Sequence, residues 1–281
     1  MKTEIIHEKQ DLTHLSWSLI RSSSGTAGSF LKATTEFGGQ KIYYKLSNFD
    51  SVNGVVGHEC ANEIIADRLL TVLGVDHLHY QLIHADIDVQ GRTLETYLCA
   101  SEDFKQRGED KVALDVFYEL ERQEGETPLT FCARNGWADY VYQMLVVDFL
   151  LLNRDRHGAN IEVLRNTKKR TIRLAPIFDH GLSLLFNCHD EDAVRSFDVM
   201  QDKQIQCFVG SHSAQENLKL IPASEMPVLR PLHSSDREFI LDGLDPVLPQ
   251  LWQDRIWEMI ERRWQYYESF CNQRRTGHIA E

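Results

Sequence analysis

Asn153-Arg154-Asp155-Arg156-His157-Gly158-Ala159-Asn160 is followed, beyond an apolar stretch, by Ile177-Phe178-Asp179-His180-Gly181. An Asp with an Asn five positions later, then an Asp-x-Gly, is the spacing that phosphoryl transfer asks for. One carboxylate orients the accepting hydroxyl, and an Asn and a second Asp hold magnesium on a triphosphate. Asp155 is therefore the candidate catalytic carboxylate. Asn160, a neutral hard oxygen donor, and Asp179 are the candidate metal ligands. His157 is placed to hydrogen-bond the loop backbone and fix its shape. The competing reading is a solvated charged loop beside an unrelated strand and turn. A lone D-x-x-x-x-N carries little information, but its pairing with F-D-x-G between apolar elements is specific.

Those apolar elements are legible on either side. Tyr140, Met144, Val147, Phe149, Leu150 and Leu151 predict a helix over 137–152 that is apolar nearly all round, hence buried. Ile161 to Leu164, a polar turn from Asn166 to Arg170, and Ile172 to Leu174 predict a hairpin over 161–175. The hairpin returns the chain so that Asn160 and Asp179 can meet. Further out, a helix is expected near 111–122, and a long one over 247–271 carries an aromatic stripe that reads as core. Residues 187–217 are polar, with Ser196, Ser211 and Ser213. They read as a mobile substrate or activation segment, or as ordinary surface loop.

The first hundred residues differ in kind. Alternating runs predict strands at 16–20, 40–46, 79–88 and 93–100, the last two joined by Gln90-Gly91-Arg92. Between them, helical spacing over 58–73 ends at Gly74, a natural C-cap. Lys45 lies on the second of these strands, where a phosphate-binding lysine is expected. Glu63, on the helix, is its candidate partner, with Glu59 one turn earlier as rival. Ser24, Gly25, Thr26, Ala27, Gly28 and Ser29 form a small-residue stretch whose amides can approach phosphates closely. Cys99-Ala100-Ser101 is the expected hinge, with Cys99 and Ser101 meeting adenine through the backbone. The resulting expectation is an α+β, two-lobed protein-kinase-like fold. A small strand-rich N-lobe (1–100) holds the phosphate loop, lysine strand and glutamate helix, and a larger mainly helical C-lobe (101–281) holds the catalytic loop.

Composition narrows the function classes. The chain has 281 residues and a formal charge of -12, which argues against a large nucleic-acid surface. Its six cysteines are scattered and none forms a C-x-x-C pair, so neither a disulfide scaffold nor a zinc ribbon is indicated. The N-terminus lacks the apolar core of a signal peptide. The longest apolar run, from Met144 to Leu152, is interrupted by Asp148 and is far short of the about 20 residues that span a bilayer. The expectation is a soluble cytoplasmic protein, or one delivered into a host cell if it acts as an effector.

The two quoted strings, the second extended as Ala175-Pro176-Ile177-Phe178-Asp179-His180-Gly181-Leu182-Ser183-Leu184, resemble the HipA-like serine/threonine kinases. These are bacterial toxin kinases among the atypical kinases related to phosphoinositide 3/4-kinases. Asn62-Glu63 through Leu73-Gly74-Val75 is similar to that family's small-lobe helix. The likeness is strongest over 140–186 and fair over 40–75. It implies ATP and Mg2+ as cofactors, transfer to serine or threonine of a protein, and an antitoxin or host protein as partner. By position it implies Asp155 as catalytic carboxylate, Asn160 and Asp179 as metal ligands, and Lys45 on the phosphates. The separate N-terminal region that many members carry is expected to be absent, and the phosphate loop follows no single family pattern. Two other readings stand beside it. One is a phosphoinositide or small-molecule kinase, with Lys168, Lys169 and Arg170 as headgroup contacts. The other is a non-catalytic pseudokinase scaffold, which would require a missing lysine or metal ligand. Autophosphorylation at Ser22, Ser23 or Ser24 would place about two negative charges in the phosphate loop and repel nucleotide.

Overall fold

The computed structural model describes residues 4–19 and 30–277. The chain runs through β1 (Glu4–Asp11), β2 (Ser18–Leu19), β3 (Leu31–Phe37), β4 (Gln40–Lys45) and the short pair β5 (Phe49–Asp50) and β6 (Gly54–Val55). Helix α1 (Glu59–Leu73) follows, then β7 (Gln81–Val89) and β8 (Arg92–Glu102). Six of these strands form one sheet in the order β1-β7-β8-β4-β3-β2. Strand β1 runs parallel to β7, and every other pair is antiparallel. Gln90 and Gly91 both take positive φ, 56° and 79°, the twist a two-residue hairpin turn needs between β7 and β8. Gly74 caps α1 in the left-handed conformation as expected.

Side-chain alternation gives the sheet two apolar faces. Ile83, Ala85, Ile87 and Val89 pack with Leu31, Ala33, Leu46 and Leu98 on one face. Leu82 and Cys99 face the other way, onto α1. That second core is continuous from α1 and the sheet into the helices of the remaining chain.

The rest comprises β9 (Asp110–Ala113), α2 (Leu114–Glu121), α3 (Pro128–Arg134), α4 (Ala138–Leu151), β10 (Asp155–Arg156), β11 (Glu162–Asn166) and β12 (Thr171–Leu174). Then come α5 (Glu191–Ser196), β13 (Gln206–Cys207), α6 (Ala214–Lys219), α7 (Asp236–Leu241) and α8 (Gln250–Gly277). The hairpin expected over 161–175 is present as β11 and β12, with β9 added on the outer side of β11.

Three expectations change. The helix expected near 111–122 is present as α2, but it starts later: residues 111–113 belong to β9 and pair with Leu164, Val163 and Glu162. Strand β1 was not foreseen. Residues 187–217 are not a loose surface loop: Val194, Val199, Ile205, Val209 and Ala214 are buried in the large core. Of the strand expected at 16–20, Ser18 and Leu19 pair with β3. The small-residue stretch from Ser24 to Ser29, like Ser22 and Ser23, lies outside the described residues. Among the described residues, no helix is long and apolar enough to cross a membrane.

Candidate active site

Helix α4 ends at Leu152, whose left-handed backbone (φ 50°) turns the chain sharply into Asn153 and Asp155. The loop is then stitched on both flanks. Arg154 donates its N–H to the Leu182 carbonyl at 3.0 Å, and Leu184 donates to the Leu151 carbonyl at 2.7 Å. On the other side β10 pairs with β13. The two motif segments, some twenty residues apart in sequence, are thus neighbours through their backbones.

Beneath them lies Arg156, with no solvent exposure. Its Nε and Nη2 each donate to a carboxylate oxygen of buried Asp148 at 2.9 Å, a bidentate pair. Its Nη1 donates to the Asn160 carbonyl at 3.1 Å and the Phe178 carbonyl at 2.6 Å. One guanidinium therefore ties α4, the Asn160 turn and the residue before Asp179 together. Asp148 also accepts from the Asn153 side chain at 2.9 Å.

Lys45, Asp155, Asn160 and Asp179 line one cavity, with Glu63 buried behind the lysine. Lys45 Nζ lies 2.9 Å from Glu63 Oε1 and 2.7 Å from Asp179 Oδ1. Glu63, fully buried, also accepts the His180 N–H at 2.8 Å, so it fixes both the lysine and the segment carrying Asp179. Glu59 is not the partner: it accepts the Asn48 N–H at 3.0 Å. Gly181 sits in a tight space, since a Cβ there would lie 3.0 Å from Lys45 Nζ and 3.2 Å from Glu59 Cβ. Asp179 itself takes a left-handed backbone (φ 61°) and donates its N–H to the Tyr80 hydroxyl at 3.3 Å.

Burial opposes charge on all three ionic groups. It pushes the Glu63 carboxyl above its usual range. For Asp179 burial is overcome by the Lys45 ammonium, with Lys32 and Arg156 behind it, and the carboxyl is held far below its usual range. Asp179 and Glu63 in turn raise Lys45 well above its ordinary value despite burial. The lysine is a fixed cation and Asp179 a fixed anion.

Asp155 shares the cavity, and burial raises its carboxyl although His157 and nearby cations oppose this. His157 Nε2 lies 3.7 Å from Asp155 Oδ2, while its Nδ1 accepts the Ala159 N–H at 3.2 Å. The imidazole shapes the loop, as anticipated. Asn160 donates its side-chain amide to the Asp155 carbonyl at 2.7 Å. That bond commits the nitrogen and leaves the carboxamide oxygen as the donor suited to a cation. With the Asp179 carboxylate on the same cavity wall, the hard oxygen set fits magnesium.

The cavity has a volume of about 740 Å³. Cys99 and Ser101 line it, but their backbones belong to the sheet. Cys99 pairs with Lys45 on one side and Leu82 on the other, and Ser101 pairs with Tyr43. The expected hinge is therefore displaced: the chain leaves the sheet only after Glu102, at Asp103 and Phe104, which also line the cavity. Phe104 and Phe178 pack with ring centroids 5.5 Å apart, and Lys111 sits 4.1 Å over the Phe104 ring. Sequence reading missed these aromatics, together with Tyr80, Arg156 and Asp148. The only signal for Asp148 was its intrusion into an apolar helix. Lys168, Lys169 and Arg170 lie exposed in the β11–β12 turn and away from the cavity wall.

No family model and no curated protein matches the sequence. Solved structures do match. The Helicobacter pylori proinflammatory kinase CtkA superposes with a TM-score of 0.64 at 16% identity, over 94% of this chain and 98% of that one. A chain from the Shewanella oneidensis MR-1 toxin–antitoxin complex of HipA, HipB and operator DNA aligns with a TM-score of 0.42 at 15% identity. That alignment covers 89% of this chain and 58% of the other. In its fold, the chain resembles that Helicobacter pylori kinase.

Proposed function

We propose that the protein is an ATP- and Mg2+-dependent serine/threonine protein kinase with two lobes, residues 1–100 and 101–281, meeting at the cavity. The observation that carries this reading is Lys45 held between Glu63 and Asp179 on the same wall as Asp155 and Asn160. Bound magnesium, held by Asn160 and Asp179, supplies charge neutralisation on the phosphate oxygens. Lys45 offers its ammonium to those oxygens while Glu63 keeps it in place. Asp155 accepts the hydrogen of the acceptor hydroxyl and orients it for in-line attack. His157 holds the loop that presents Asp155. Phe104 and Phe178 offer apolar surface to the adenine ring. The intact lysine, carboxylates and Asn speak against a scaffold without activity. The exposed position of Lys168 to Arg170, away from the cavity wall, speaks against these three as headgroup contacts.

The test is radiolabel transfer from ATP to the protein itself and to mixed protein substrates. It uses the wild type, Lys45→Met, Asp155→Ala and Asp179→Ala, with phosphoinositide vesicles in a parallel arm. Wild-type labelling of protein that drops about 10²–10³-fold in Lys45→Met is expected, the scale for losing one preorganised donor. Label in the lipid arm alone, or equal labelling by all variants, refutes the reading. Mass spectrometry of the same samples addresses autophosphorylation: phosphate on Ser22, Ser23 or Ser24 is expected in wild type and absent in Asp179→Ala.

A further inference from the structure

In the middle of α1, Asp67 is a buried carboxylate onto which two imidazoles converge. His77 Nε2 lies 2.8 Å and His79 Nδ1 2.9 Å from the same oxygen, Oδ1. The three candidate donor atoms all fall within 4.8 Å of one another. The other nitrogen of His77, Nδ1, lies 2.7 Å from the Val75 carbonyl, an oxygen that can only accept. Nδ1 therefore carries the hydrogen. A neutral imidazole has no second hydrogen, so Nε2 meets Oδ1 with a lone pair unless one positive charge stands between them. A ring nitrogen anchored to a backbone carbonyl, with the opposite nitrogen turned toward a carboxylate, is the orientation that outer-shell bonds impose on metal-ligating histidines.

We propose that Asp67, His77 and His79 form a binding site for a transition-metal dication of the zinc class, separate from the proposed magnesium site. Two imidazoles and one carboxylate are the donor set such ions select, whereas magnesium prefers oxygen alone. Bonds of about 2.0–2.2 Å at tetrahedral angles put ligand atoms about 3.3 Å apart. The present 2.8 and 2.9 Å spacings reach that by opening about half an ångström each, which takes a small rotation of the His79 ring and a small shift of Asp67 away from the anchored His77. The His79 side chain is 45% exposed, so the fourth position opens to water and the ion has an entry path.

The site is mechanically linked to the cavity. Asp67 Oδ2 accepts the Tyr80 N–H at 2.7 Å, and the Tyr80 hydroxyl accepts the Asp179 N–H at 3.3 Å. Leu78, between the two histidines, donates to the Ile177 carbonyl at 2.9 Å. An ion here braces the turn on which the Asp179 segment rests.

The test uses the full chain, treated with chelator and desalted, then titrated with Zn2+ against a chromophoric chelator and with Co2+ followed by visible absorption. One equivalent should bind, and Co2+ should show the strong bands of a four-coordinate N/O site. His79→Ala should weaken Zn2+ binding at least tenfold, and Asp179→Asn should leave it unchanged. His79→Gln, which keeps a polar contact to Asp67, gives the same loss if the alanine variant folds poorly. Added Zn2+ should raise the melting temperature of the wild type and of neither His79 variant. Failure of the wild type to bind one equivalent assigns the position to a proton and overturns the proposal. So does binding in the His79 variants equal to wild type.

Discussion

Replacing Asp148 by alanine tests whether the guanidinium of Arg156 organises the site. The substitution removes two charge-assisted bonds of 2.9 Å and strands a fully buried cation that keeps only two neutral carbonyl partners. It also takes the acceptor from the Asn153 side chain. Breaking one partner out of a buried ion pair costs about 3–5 kcal/mol. The unfolding entropy of a 281-residue chain is about 0.6 kcal/mol/K at ~2.1 cal/mol/K per residue, so the melting temperature should fall by about 5–8 °C. Calorimetry or circular dichroism reads this directly. The double variant Asp148→Ala with Arg156→Met removes the stranded charge and should recover at least half of the lost stability. Nucleotide binding should not recover, because the carbonyls of Asn160 and Phe178 remain untied. A fall of less than 2 °C in the single variant (about 1 kcal/mol on the same entropy), or a double variant no more stable than the single, refutes the argument.

Two other perturbations follow from the same geometry. Burial raises the Asp155 carboxyl, and the ionised form is the one that accepts a hydrogen. Turnover should therefore fall as pH drops through a midpoint above the ordinary aspartate value of about 4, and Asp155→Asn should lower the rate about 10²–10⁴-fold and abolish that limb. An acid limb that survives in Asp155→Asn assigns the titration to another group. At Gly158, which precedes the Asn160 turn, an added Cβ would lie 2.4 Å from Asp115 Cβ and 2.9 Å from the Asp115 backbone nitrogen. Gly158→Ala should cost about 1–3 kcal/mol by overpacking, read from the urea midpoint, and an unchanged midpoint would show that α2 yields without strain.

What the sequence exposes and what it hides have physical reasons. Helices α1 and α4 and the β11–β12 hairpin were legible because their burial is written as periodicity or continuous apolarity. That Lys45, Asp155, Asn160 and Asp179 share one cavity, with Glu63 against the lysine, was legible because a phosphoryl-transfer reading restricts both residue type and order. Strand β1 was hidden because it lies at the sheet edge with most side chains exposed, and its pairing is backbone bonding to distant β7. Strand β9 was hidden because its four residues flow without a turn residue into α2. The hinge was misplaced by a few residues because a strand's end is set by its partners, and β4 keeps β8 paired as far as Glu102. Arg156 was read as a loop charge, since nothing local announces that Asp148, a full turn back inside α4, neutralises it.

Thirteen of the fifteen residues of α1 are buried. Its polar members are each occupied from a different direction: Glu59 by Asn48, Asn62 by the carbonyls of Gly181 and Ser183, Glu63 by Lys45 and His180, and Arg68 by the carbonyls of Ile240 and Asp242. A rod gripped on every side cannot swing. Tilting it outward would uncover several aliphatic side chains at about 1.5–3 kcal/mol each and snap those bonds together. Dislodging this rod, with the lysine pulled away from its glutamate, therefore carries a large energetic cost, and a change confined to the cavity rim disturbs far less of the frame.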